Sequence, residues 1–435
     1  MRTKTVMTLF AVLLLSSCTN SHPMTGNWVG SMEMNGKVVD ISLDFNSGNG
    51  SLSSKDLMLL DEAIGNVKYK NGNISFSYST SDVNFAFEGK VENEKIYGTV
   101  TIQGMPPALK ISFNLLKKSD TFPAKSYSIE KLFVAGKGVK LSAEIFSPQT
   151  EKLHPALVLL QGSGGYLKSR VFFDADFFAN LGFEVLIFDK RGNGESTGNS
   201  LTATYNDLAD DAIACLETLK NRKTVDKRKI GLWGISQGAM LLPFIVSKTD
   251  IPTFLIAVSP EITSTVEGAA YDDSIRSGNS PENGHIAAES HRKVGEMIRD
   301  GSDHKEVETF INQNAQKYSF MNRTALYPNI TIGKEEFEGL YWRGRKENFY
   351  PYWKNLNIST LVLLGEDDVI LNAVRNKTLI EAFHNKKIEI KMFSRANHIM
   401  KKSFNPAIYP DFDWPRAVDG YLDFVGNWVE KKIMK

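Results

Sequence analysis

The spacing of apolar residues changes once along this chain, and that change constrains the fold more than any other feature. From about 24 to 118 the apolar residues alternate with polar ones in short segments. Examples are Val38-Val-Asp-Ile-Ser-Leu-Asp-Phe45, Ile74-Ser-Phe-Ser-Tyr78 and Ile96-Tyr-Gly-Thr-Val-Thr-Ile102. A two-residue period with Asn-Gly pairs at 35–36 and 71–72 predicts antiparallel strands joined by tight hairpins. Such a run implies an all-β barrel or sandwich of about seven or eight strands. After about 127 the pattern is different. Short and nearly all-apolar runs at 156–160, 184–188, 229–233, 253–258 and 360–364 are separated by helix-like stretches. Strands buried on both faces read this way, so the second half predicts a doubly wound, mostly parallel α/β sheet.

The chain has 435 residues, more than one hydrophobic core usually serves, so two domains are expected. Its formal charge is +1, a balance that calls for no strongly basic face, so a nucleic-acid partner is not expected. Residues 1–18 read as a lipoprotein signal. Arg2 and Lys4 precede an apolar run, Val6–Leu15, too short to span a bilayer. The run ends in Leu15-Ser-Ser-Cys18, which resembles a bacterial lipobox and implies a lipid anchor on Cys18 in the cell envelope, outside the cytoplasm. Cys215, the second of two cysteines, shares a helical face with Leu208, Ala212, Leu216 and Leu219 and reads as core. The expected order is therefore a β domain at 24–118, a linker at 119–126 and an α/β domain at 127–435. Between 262 and 354 the strand–helix alternation stops. About ninety polar, helix-leaning residues are too many for a plain loop and predict a helical lid. Its aromatics, Tyr341, Trp342, Phe349, Tyr350, Tyr352 and Trp353, suit either an acyl pocket or a small core of their own.

One serine stands where a strand should meet a helix, in Leu232-Trp-Gly-Ile-Ser-Gln-Gly-Ala-Met-Leu241. Glycines two residues either side of Ser236 allow a strand and a helix to cross closely around a sharp turn. The turn also puts Ser236 at a helix N-terminus, which favours developing negative charge. A serine hydroxyl needs a base to take its proton. His398, in Phe393-Ser-Arg-Ala-Asn-His398, follows the last strand candidate and suits that role. An orienting acid should fall between them in chain order. Leu361-Val-Leu-Leu-Gly-Glu-Asp-Asp368 offers Asp368, with Asp367 and Glu261 as alternatives. The Gly-rich Gln161-Gly-Ser-Gly-Gly165 follows a strand, as a loop lending backbone N–H groups should. No H-E-x-x-H or Cys/His cluster calls for a metal, and no P-loop lysine follows the glycines, so neither metal nor cofactor is expected.

Together these motifs resemble the α/β-hydrolase superfamily over about 127–435. The resemblance implies a triad of Ser236, Asp368 and His398, with the third residue after Gly365 as the acid. It implies an oxyanion hole from the N–H groups of Ser163 and Gln237, although many relatives have histidine where this chain has Gln161. Phe188-Asp-Lys-Arg-Gly-Asn-Gly-Glu-Ser196 is similar to the D-x-R-G-x-G-x-S loop, whose Asp189 and Arg191 would be structural. Tyr350-Pro-Tyr-Trp353 resembles the branch with acyl-thioesterase-like and dienelactone-hydrolase-like members. Some of those use cysteine as nucleophile, and a serine here points to esters. The family's closing helix would be Trp414–Lys431. Residues 24–118, with the opening Gly26-Asn-Trp28 and the closing Tyr97-Gly-Thr-Val-Thr101, resemble the small lipocalin-like β domain that precedes some bacterial hydrolases. The expected function is a serine esterase acting through an acyl-enzyme on a small-molecule substrate. A peptidase or acyl thioesterase with the same triad, and an inert surface protein whose β domain holds a ligand, stay open as alternatives.

Overall fold

The structure is a computed structural model that describes residues 24–435 apart from 47–48, 80–83, 103–110, 120–123, 264–266, 324–329, 340–341, 343, 345–346 and 404–413. The signal segment and Cys18 lie outside the described residues. The chain divides into two compact units. One contains the segments up to Ser53 and from Asp61 to Pro123; the other contains Ser54–Leu60 and Ala124–Lys435.

The first unit carries a closed antiparallel barrel of strands β1 (Gly26–Met34), β2 (Lys37–Asn46), β3 (Asn49–Ser54), β4 (Leu59–Lys70), β5 (Asn73–Ser79), β6 (Asn84–Glu92), β7 (Lys95–Ile102) and β8 (Ile111–Ser119). Closure is direct: β1 pairs on one side with β2, through Trp28↔Leu43, and on the other with β8, through Trp28↔Lys117. Both Asn-Gly pairs adopt positive φ at the two turn positions, 52° and 77° at each, the mirror-image turn whose twist matches paired strands. Alternation sends Phe45, Phe76, Phe87 and Phe113 to the buried face. Phe76 stacks on Phe87 with centroids 4.4 Å apart and meets Phe45 and Phe113 edge-on, so aromatic side chains pack the barrel interior.

The second unit is an eight-stranded sheet in the order β16-β15-β14-β13-β11-β12-β10-β9. Its strands are β9 (Tyr127–Gly136), β10 (Val139–Pro148), β11 (His154–Leu160), β12 (Glu184–Phe188), β13 (Val225–Ile235), β14 (Phe254–Val258), β15 (Ser359–Gly365) and β16 (Ile388–Phe393). From β12 through β16 all pairings are parallel, while β9 and β10 form an antiparallel edge. This is the expected doubly wound sheet. Helices α1 (Phe172–Asn180), α2 (Tyr205–Lys220) and α3 (Gln237–Val246) follow β11, β12 and β13. Cys215 lies on the buried face of α2, and burial pushes its thiol well above the usual range, as for a core residue.

Helices α4 (Glu267–Arg276), α5 (Pro281–Arg299), α6 (His304–Lys317), α7 (Lys334–Phe337) and α8 (Tyr350–Lys354) lie between β14 and β15. The aromatics of this insertion divide. Trp342 joins Val294, Ile298, Val307, Ile311 and Phe337 in a core of the insertion's own. Phe349 and Trp353 belong to the main core, where Phe349 and Tyr352 meet Phe244 of α3 edge-on at 5.9 and 5.1 Å. Tyr341 is outside the described residues.

Two expected boundaries shift, and two strands of the barrel have no counterpart among the segments read from the sequence. The closing helix, α9, spans Tyr421–Val429 rather than beginning at Trp414, because Gly420 with φ 77° starts the turn there. Ser119, read as linker, is the last residue of β8. Strands β3 and β4 escaped the period-2 reading because β4 is exposed along most of its length and has little apolar alternation to detect.

Candidate active site

Ser236 is the single residue between β13 and α3, with φ 55° and ψ −119°. A non-glycine residue in that region costs about 1–3 kcal/mol and persists only where its surroundings hold it. Here its amide donates to Val258 of β14 at 2.9 Å, and its carbonyl accepts from Met240 one helical turn on. The flanking glycines are obligatory. A Cβ on Gly234 would stand 2.6 Å from the carbonyl carbon of Gly238, and one on Gly238 would stand 2.3 Å from the carbonyl oxygen of Leu160. Strand, turn and helix therefore close around Ser236 because these two positions carry no side chain.

The other two candidate residues stand at the same sheet edge. Asp368 follows β15 and His398 follows β16. His398 Nδ1 lies 2.7 Å from Asp368 Oδ2, with the imidazole 10% and the carboxylate 2% exposed. The second oxygen of Asp368 accepts the amides of Ile370 and Leu371 at 2.8 and 3.0 Å, which fixes the carboxylate. An ionised carboxylate only accepts, so Nδ1 carries the proton and Nε2 is left as the base. Ser259 ties the three loops together. Its amide donates to Leu363 of β15 at 2.8 Å and its hydroxyl donates to the backbone carbonyl of His398 at 2.9 Å. Its neighbour Val258 accepts the amide of Ser236.

Glu261, the remote alternative acid, is engaged elsewhere. One of its oxygens accepts the amides of Ile262 and Thr263 and the Thr263 hydroxyl, and Arg375 stands 3.7 Å away. Burial raises its pKa, and Arg375 only partly opposes this. Asp367 gives its amide to Ala396, in the turn that carries His398.

The Gly-rich loop leans on the nucleophile turn. A Cβ on Gly162 would stand 3.5 Å from the Cβ of Ser236, so the backbone next to Ser163 faces the serine. Gln237 is the first residue of α3, where an amide has no carbonyl within the helix to bond. Gln161 is buried and donates through Nε2 to Phe188 at 3.0 Å, which pins the loop to the end of β12. This chain thus uses a side-chain amide at the position where the family resemblance suggests histidine.

Asp189 and Arg191 brace the loop after β12. Asp189 accepts the amide of Lys168 at 2.7 Å and pairs with its ammonium at 3.0 Å. Arg191 reaches both oxygens of Asp211 at 2.7 Å each and Asp207 at 2.9 Å. Burial works against the guanidinium charge, but these acids more than offset it and raise the Arg191 pKa.

Between them, Lys190 points the other way. Its ammonium donates to Gln237 Oε1 at 2.9 Å and to the carbonyl of Gly162. Sequence reasoning missed this residue, since it is the variable position inside the D-x-R-G motif. It also missed Ser259, for which no motif exists.

A strained serine between a parallel strand and a helix, on one sheet edge with a buried Asp–His pair, defines an α/β-hydrolase, and the protein is a serine hydrolase of this class. The X-Pro dipeptidyl-peptidase family (S15 family) matches residues 137–398, more than half of the chain, and the chain belongs to that family. Among similar proteins, the quorum-quenching protein AidA of Acinetobacter baumannii is 24% identical over 311 residues, covering 68% of this chain and 93% of that protein. Thiohydrolase aneE of Aspergillus aculeatus is 30% identical over 142 residues, 32% of this chain and 44% of its own length. An esterase of Pyrococcus furiosus is 18% identical, covering 71% of this chain and 92% of that one, with a TM-score of 0.45.

Proposed function

We propose that the protein hydrolyses carboxylic esters through Ser236, His398 and Asp368. The observation that carries this reading is the buried 2.7 Å bond between His398 and Asp368 on the edge where Ser236 is held in its strained turn. In acylation, Ser236 Oγ bonds to the ester carbonyl carbon while its proton passes to His398 Nε2. The amides of Ser163 and Gln237 take the charge on the carbonyl oxygen. The carbon–oxygen bond to the alcohol then breaks, and that alkoxide leaves with the proton from His398. Water attacks the acyl-enzyme by the same route and releases the acid.

The test is turnover of a p-nitrophenyl ester by purified protein and by Ser236→Ala. Loss of about six orders of magnitude is expected, the scale for a missing triad nucleophile. Retention of most activity removes the assignment. Family membership favours a second reading, a peptidase cleaving after proline. Comparing esters, thioesters and aminoacyl-prolyl amides at equal concentration separates the two, and a preference for the prolyl amide overturns the ester reading.

As part of the same proposal, Cys18 carries a lipid and the enzyme sits in the bacterial cell envelope. Incorporation of a labelled fatty acid that Cys18→Ala abolishes is the expected result.

A further inference from the structure

We infer that Lys190 is a positioning residue for this reaction, tying together the two backbone segments that bracket the reacting carbonyl oxygen. The inference rests on the reading of Ser163 and Gln237 as the oxyanion donors. Lys190 stands at the end of β12, between Asp189 and Arg191, both of which are locked by ion pairs. The ammonium donates to the carbonyl of Gly162, the residue before Ser163, and to the side chain of Gln237 at 2.9 Å. One cation thus clamps the Gly-rich loop to the first residue of α3. Gln161 anchors the start of the loop at β12, but from Gly162 to Gly165 it is glycine and serine with little stiffness of their own, so the spacing of the two amides depends on that clamp.

The environment of Lys190 is what a purely structural lysine would avoid. Leu160, Phe188, Leu208 and Leu241 line the small cavity beside it, together with Gln237 and Asp211. The charged groups around it are committed elsewhere. Asp189 pairs with Lys168, Asp211 of α2 pairs with Arg191, and the neighbouring loop and α3 present only amides and carbonyls. Burial lowers the Lys190 pKa to about 8, with no carboxylate offsetting it. A buried ammonium bonded only to neutral groups is a cost to folding. Its return is a positive charge next to the site where negative charge develops.

The experiment compares wild-type protein, Lys190→Met, Lys190→Gln and Lys190→Arg on one ester, with thermal midpoints and kcat and KM from pH 6 to 10. Lys190→Met should melt no lower than wild type, because it removes an unpaired buried charge, yet lose about 10- to 100-fold in kcat with little change in KM. Lys190→Gln, which keeps a donor without the charge and guards against a folding failure of the methionine variant, should lose kcat in the same direction. Lys190→Arg should recover part of the loss. Wild-type kcat should fall on the alkaline side near pH 8 as the ammonium loses its proton, and the arginine variant should lack that fall. A methionine variant with wild-type kcat and an unchanged pH profile overturns the role of Lys190. Ser236→Ala, run alongside, keeps the two failures apart. If wild-type turnover survives in Ser236→Ala, the catalytic reading itself falls, and this inference with it.

Discussion

His398 and Asp368 share a hydrogen bond of 2.7 Å with both side chains almost wholly out of water. Two backbone amides hold the far oxygen of the acid, so the carboxylate cannot turn away and the imidazole cannot flip its tautomer. If this pair works as proposed, Asp368→Asn should reduce kcat by about 10⁴, the scale for loss of a triad acid. Asp367→Asn and Glu261→Gln should stay within a few-fold of wild type. A fully active Asp368→Asn enzyme, measured on the same ester, would transfer the role to one of those two.

Gly238→Ala tests the nucleophile turn without touching a reacting group. The new methyl would press 2.3 Å from the Leu160 carbonyl and 2.8 Å from that of Gln161. Either α3 or the Gly-rich loop must then move. A loss of about 1–3 kcal/mol in stability is expected from the overpacking, with a larger fractional loss of turnover than of fold. Denaturant midpoints beside ester kinetics check both.

Arg191→Met leaves Asp211, which is 1% exposed, as a buried carboxylate without its cation. Breaking such a pair from one side costs about 3–5 kcal/mol. The double variant Arg191→Met/Asp211→Leu should recover much of it, since both charges are then gone. Chemical denaturation of wild type, the two single variants Arg191→Met and Asp211→Leu, and the double variant measures the difference, and additive losses would contradict the pairing argument.

Phe76→Ala probes the barrel. Phe76 touches Phe45, Phe87 and Phe113 and is 3% exposed. Removing it should destabilise the barrel by about 3–5 kcal/mol. In thermal unfolding of the full chain, the barrel's transition should drop while ester turnover at low temperature persists.

Local patterns were enough to read much of this molecule from its residues. The two-residue period of 38–45 and 74–78, and the Asn-Gly turns, depend only on neighbours in the chain, and they announced antiparallel strands. The buried apolar runs at 156–160 and 360–364 announced the parallel sheet, because strands covered on both faces have no polar alternate. Gly234, Ser236 and Gly238 announced the turn for the same local reason. What lay beyond such patterns came from pairing across long stretches of chain. Strand β9 is largely exposed at the sheet edge and leaves little apolar signal. The family resemblance favoured Asp368, but the residues themselves left Asp367 open, because the choice depends on which carboxylate faces an imidazole 30 residues away. Lys190 carries no signal of its own in the sequence, and only folding places it against Gly162 and Gln237. Short-range periodicity is a property of the chain, whereas burial and charge environment belong to the folded neighbourhood.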